Sequence, residues 1–166
     1  MLKPYYLFTF LSLILFSCSN HSRKNINLPN RIEFEVKDNE TVHQTLSKET
    51  TNAYFSFFNS KSRRIPLFKT IETEKHTLYL GMPYNTSLKG LFKHDLLKNT
   101  SKLILSKTDS STYFYKKYHL GDTTIINYVN QTNQNLISVL LVSTNLSNTD
   151  SISSLENLSK RIIKKN

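Results

Sequence analysis

The residues of this chain that could do chemistry are few and dispersed. Its five histidines, His21, His43, His76, His94 and His119, fit no metal-ligand spacing such as H-E-x-x-H. The single cysteine, Cys18, leaves no thiol pair for a zinc site. His94 and Asp95 are adjacent, but neighbours on a helix point about 100° apart and do not face each other as an acid–base pair must. Glu72 and Glu74 would share a strand face as a carboxylate pair, with Lys69 and Lys75 beside them as ordinary surface partners. The three glycines, Gly81, Gly90 and Gly121, are too scattered to cradle a phosphate, and no G-x-S-x-G nucleophile motif occurs. The pattern points away from catalysis and implies no metal or other cofactor. A hydrolase would need a site assembled from residues distant in sequence.

The most suggestive candidate surface is "YFYKKYH", residues 113–119. On a strand, alternation sends Tyr113, Tyr115 and Lys117 to one face and Phe114, Lys116 and Tyr118 to the other. One face must meet the core. The other would offer aromatic platforms beside lysines, with Tyr113, Tyr115, Lys116 and Lys117 as the contacts for an anionic or glycan ligand. The plainer alternative is cross-strand aromatic packing with lysines guarding a sheet edge.

Cys18 has a different explanation. Lys3 supplies a positive start, and Tyr5 to Phe16 form an uncharged apolar run. A membrane-spanning helix needs about 20 apolar residues, so this run has the length of a signal-peptide core. It ends in Leu15-Phe16-Ser17-Cys18, which resembles the lipobox of bacterial lipoproteins: an aliphatic residue, a tolerant position, a small residue and then the cysteine. The resemblance implies that residues 1–17 are a signal peptide and that Cys18 carries the lipid, including a palmitate-type chain. Each buried CH₂ contributes about 0.8 kcal/mol, and two or more chains anchor stably. An acylated Cys18 leaves no thiol for a disulfide. Ser19 in place of Asp at the next position implies, by analogy with lipoprotein sorting, the outer membrane, facing the periplasm.

Asp122-Thr123-Thr124 and Asp150-Ser151-Ile152 resemble an O-glycosylation sequon of some bacterial envelope proteins, which implies Thr123 and Ser151 as acceptors. The chain is rich in serine and threonine, and Asp150-Ser151 has a helix-capping explanation of its own.

Lys and Arg total 22 against 12 for Asp and Glu. Such a balance suits phosphates, anionic head groups or acidic glycans. An exported chain has no access to nucleic acid as a partner. The chain beyond the signal peptide suits one domain, not two. Residues 18–30 read as the lipidated cysteine and a polar tether, reaching about 40 Å if fully extended. Residues 31–166 read as a single α+β domain.

Within it, Arg31–Lys37 alternates as a half-buried strand, with Ile32, Phe34 and Val36 on one face. Thr41–Asn59 suits helix or strand and leans to helix. Pro66–Thr73 and Thr77–Gly81 read as strands. "NTSLKGLFKHDLL" reads as a short helix capped by Asn85 or Thr86. "KLILSK", "STYFYKKYHL", "TTIINYVNQ" and "LISVLLVST" read as an antiparallel meander, with Leu136–Val142 central and covered on both sides. Ile152, Leu155, Leu158, Ile162 and Ile163 share a helix face behind a Ser153/Glu156 capping box. That helix is expected to lie across the sheet in a two-layer sandwich.

"LYLGMPYNTSLKGLF" followed by antiparallel strands, from Tyr79 to Val142, resembles the small lipoprotein of the outer-membrane β-barrel assembly machine. There a Gly-Met turn leads into helix and then a three-stranded meander. This chain departs from it in lacking a second helix before the meander and in adding a C-terminal helix. The lipid anchor, the polar tether and a basic domain without catalytic motifs give as the expected function a non-catalytic accessory or binding subunit for an envelope protein, anchored to the membrane through Cys18. Binding of an anionic or glycan ligand, a toxin-immunity lipoprotein and a cryptic hydrolase are the alternatives.

Overall fold

The computed structural model describes residues 24–59, 65–93, 97, 102–109, 112–132, 135–144 and 157–164, with backbone alone for 102–109 and 164. Two antiparallel sheets dominate. The smaller has the order β1-β2-β10, from Lys24–Leu28, Ile32–Val36 and Ile162–Lys164. The larger has seven strands in the order β3-β4-β5-β9-β8-β7-β6. These are Thr41–His43, Leu67–Glu72, His76–Gly81, Asn135–Thr144, Thr123–Thr132, Tyr113–Leu120 and Lys102–Asp109. Two helices, α1 (Lys48–Ser56) and α2 (Leu88–Lys93), complete the named elements.

The chain is α+β, as its strand periodicities predict. The meander β6 to β9 forms in order, and β9 returns to pair with β5 in the middle of the sheet. Leu136 to Leu141 are all buried, so the apolar run on β9 is covered on both faces. Gly121 closes the β7–β8 hairpin at φ 58°, the left-handed value that a two-residue turn demands and glycine takes at no steric cost.

The covering layers differ from the expected two-layer sandwich. On one face Leu78, Leu80, Ile126, Tyr128, Val139 and Leu141 pack against Ile26, Ile32, Phe34 and Val36 of the small sheet. On the other, Tyr79, Phe114, Ile125, Val129 and Leu140 pack against Tyr54 of α1 and Leu88 and Leu91 of α2. The molecule therefore has three layers: small sheet, large sheet, helices.

Three local outcomes refine the sequence reading. First, Lys24–Leu28, within the stretch expected to be tether, is strand β1. Ile26 and Leu28 are buried opposite Phe34 and Ile32, and the two apolar residues at alternate positions suffice to seal an edge of β2. Second, Thr41–Asn59 divides into strand and helix. Ser47 breaks it: its hydroxyl accepts from the Thr50 N–H at 3.0 Å and caps α1. At α2 the capping hydroxyl is that of Ser87, which accepts from Gly90 N–H at 3.1 Å, while Asn85 takes a positive φ of 50°. Third, the C-terminal segment is helical only over 157–161 among the described residues. Leu158 reaches the core shared with the small sheet, but Ile162 and Ile163 leave the helix for β10. The free edge of β2 offers these β-branched residues a ladder, with Ile162 opposite Phe34. The Ser153/Glu156 capping box lies outside the described residues.

Candidate functional site

The expected ligand platform at residues 113–119 is built into the interior. Phe114 and Tyr118 belong to the core beneath the helices, and Tyr113 and Tyr115 pack partly buried against the other core. Lys116 and Lys117 are only 7% and 3% exposed. Lys116 shares its face with Phe114 and lies with its ammonium 5.3 Å from the Phe92 ring centre, a cation–π contact that ties β7 to α2. Tyr113 stacks on Tyr128 of β8 at 5.9 Å. β7 is also not an edge strand, because β6 flanks it. The three-layer packing covers both of its faces, so it offers neither an open aromatic surface nor an edge for lysines to guard.

Thr123 is half-buried at the start of β8, directly after the exposed Asp122. Cys18 and Ser151 lie outside the described residues. The described histidines do not converge. His43 Nε2 lies 2.9 Å from a Glu72 carboxylate oxygen, His119 Nδ1 lies 3.2 Å from the Thr124 hydroxyl, and His76 stands elsewhere. Glu72 and Glu74 do not form the expected strand-face pair, because β4 ends at Glu72 and a turn begins at Thr73. No group of three metal-ligating side chains occurs among the described residues.

A different constellation lies at one end of the small sheet. Arg161, at the entry to β10, forms a buried ion pair from Nη2 to Glu40 Oε2. Its Nε donates to the Glu35 carbonyl at 2.8 Å, and its guanidinium carbon sits 4.5 Å from the Phe34 ring centre. Glu40 Oε2 also accepts from the Lys37 N–H at 2.8 Å, while Glu40 N–H donates to the Lys37 carbonyl at 3.1 Å. The first bond holds the carboxylate against the β2–β3 turn, and the second closes the turn's backbone. Above this floor opens a cleft of about 100 Å³, lined among others by Lys37, Asn39, Thr73, His76 and Arg161.

His76 enters the cleft from the β4–β5 turn. Thr73 fixes that turn: its Oγ1 accepts from His76 N–H at 3.1 Å and its N–H donates to the His76 carbonyl at 3.0 Å. Burial pushes the imidazole pKa below its usual value. The Glu40 charge opposes this, and Arg161 and Lys37 add to it. The cleft combines two permanent cations with one carboxylate, itself paired to Arg161, a formal excess of one positive charge.

The sequence gives no sign of this arrangement. Glu40 and Arg161 are separated by 121 positions, and Arg161 is one of several basic residues near the C-terminus.

No family model and no curated protein sequence matches the chain. Among solved structures, the fold is similar to that of cyanobacterial PsbP (CyanoP) from Synechocystis sp. PCC 6803, determined in solution. That match has a TM-score of 0.54 at 11% identity, and covers 86% of this chain and 92% of the other. At that identity the likeness is one of fold alone.

Proposed function

We propose that this chain is a lipid-anchored protein of the bacterial envelope, acylated at Cys18 on the periplasmic face of the outer membrane, whose domain is a non-catalytic accessory subunit for another envelope protein. The observation that carries the reading is the position of the lipobox cysteine. Cys18 stands six residues ahead of the first residue of β1. Removal of residues 1–17 would spare every strand, and the lipid would join the domain through a linker of about 20 Å at most. The engagement of Arg161 and Glu40 with each other supports a structural rather than an acid–base role for these buried groups.

Metabolic labelling with a clickable palmitate tests the anchor. Wild type takes up label and pellets with membranes, while Cys18→Ala takes up none and retains residues 1–17. Unlabelled wild type would end the reading. Crosslinking in cells followed by pull-down then tests the subunit role, with one partner recovered near stoichiometry from the anchored form and not from Cys18→Ala. Recovery of no protein from the anchored form would remove that role.

A further inference from the structure

We infer that the cleft over Arg161 is a binding site for the phosphate of a membrane glycerophospholipid headgroup. The identity of the ligand's source rests on anchoring at Cys18; the site itself does not.

The charge comes first. Arg161 and Lys37 bring two permanent positive charges, against the single carboxylate of Glu40. Both hydrogen bonds to Glu40 Oε2 come from the floor and the turn, so its charge is spent inwards. A guanidinium carries five N–H donors, and the bonds to Glu40 and the Glu35 carbonyl engage two of them. Its planar fork suits phosphate, and stacking on Phe34 holds it in place. Lys37 and Asn39 are exposed at the rim, where they would meet the remaining phosphate oxygens. About 100 Å³ accommodates several water-sized groups, enough for a tetrahedral oxyanion. His76 borders the same cleft, and protonation there would add to the attraction.

Position comes second. Lys24, the first residue of β1, pairs with Val36, and Arg161 bonds the Glu35 carbonyl from the other side of β2. The incoming tether and the cleft are therefore separated by two strand spacings, roughly 10 Å. Six residues from Cys18 to Lys24 span at most about 20 Å. An acylated Cys18 keeps this end of the small sheet, and not the far end of the seven-stranded sheet, beside the headgroups.

The test uses the full chain in a non-ionic detergent, melted with glycerophosphoglycerol, with inorganic phosphate, and with sodium chloride at matched ionic strength. The phosphodiester is expected to raise Tm by roughly 5 °C at a hundredfold excess over its Kd, and chloride to leave it unchanged. Lys37→Ala, an exposed rim substitution, should lower the affinity at least tenfold with little change in the ligand-free Tm. A shift with inorganic phosphate alone would overturn the headgroup assignment. No shift with either anion, or an equal shift in Lys37→Ala, would overturn the site. Cys18→Ala run in parallel separates the two readings. Its retained shift confirms the site whatever becomes of the anchor, and a missing shift in an acylated wild type removes the site alone.

Discussion

Arg161 and Glu40 meet 121 positions apart in sequence as an ion pair with side chains only 6% and 2% exposed. The pair joins the entry of β10 to the turn between β2 and β3. It closes the end of the core that the small sheet shares with the large one. Two charges this deep are held by each other, by the Lys37 N–H and by the Glu35 carbonyl.

Truncating one partner leaves the other buried and unpaired. Arg161→Met is expected to cost about 3–5 kcal/mol of folding stability. The double variant Arg161→Met with Glu40→Leu should cost far less than the two single changes summed. Urea unfolding of the four chains measures this. Additive costs would mean that the pair is not coupled in the folded protein.

His76 gives the same region a pH dependence. Its folded pKa lies below the ordinary value near 6.5, chiefly through burial, with Arg161 and Lys37 adding and Glu40 opposing. The unfolded chain therefore binds the proton first as pH falls. Stability is full above about pH 6.5 and declines as pH drops through the folded pKa. His76→Gln should flatten the Tm profile on the acid side of about pH 6.5 relative to wild type. An unchanged slope would assign the acid sensitivity to other groups.

Most of the strand framework was legible in the sequence, because period-two alternation and turn residues are local signals. Ile32, Phe34 and Val36 announce β2, and Gly121 announces its hairpin. What was illegible depends on partners distant in sequence. The strand β1 has only Ile26 and Leu28 to mark it within a polar stretch, and its burial follows from the existence of β2. Ile162 and Ile163 continue a helical pattern and leave it because an edge of β2 is free, a fact of tertiary structure that overrides local propensity. The lysines of residues 113–119 look like surface residues by composition. They are buried because both faces of the large sheet are covered: α2 lies over Lys116 through Phe92, and the small sheet covers the opposite face, which a two-layer reading leaves open. The cleft over Arg161 is the extreme case, since its residues come from the β2–β3 turn, the β4–β5 turn and the C-terminal segment.

Thr70 carries a prediction of opposite sign. It is fully buried on β4, and its hydroxyl has no hydrogen-bond partner among the described residues. A buried hydroxyl left without a partner costs about 1–3 kcal/mol, and valine keeps its shape and its strand preference. Thr70→Val is expected to gain about 1 kcal/mol, seen as a Tm rise of roughly 2–4 °C. A lower Tm would show that the hydroxyl is bonded.

Two glycines separate close approach from backbone conformation. At Gly81, a Cβ would lie 2.7 Å from Ile65 Cγ2, 2.9 Å from the Pro66 carbonyl oxygen and 3.0 Å from the Tyr54 hydroxyl. The carbonyl belongs to the chain backbone, and Ile65 and Tyr54 are packed in the core beneath α1, so none of the three can yield cheaply. Gly81→Ala is expected to cost about 1–3 kcal/mol by overpacking. At Gly121 a Cβ would meet nothing within 4 Å, but φ is 58°. Gly121→Ala should cost about 1–2 kcal/mol from the left-handed backbone alone, and Gly121→Asn, which tolerates that region, should recover part of it. No asparagine rescue is expected at Gly81, where a larger side chain deepens the clash. Thermal melts of the four variants distinguish these causes, and an asparagine that stabilised position 81 over alanine would refute the packing account of that residue.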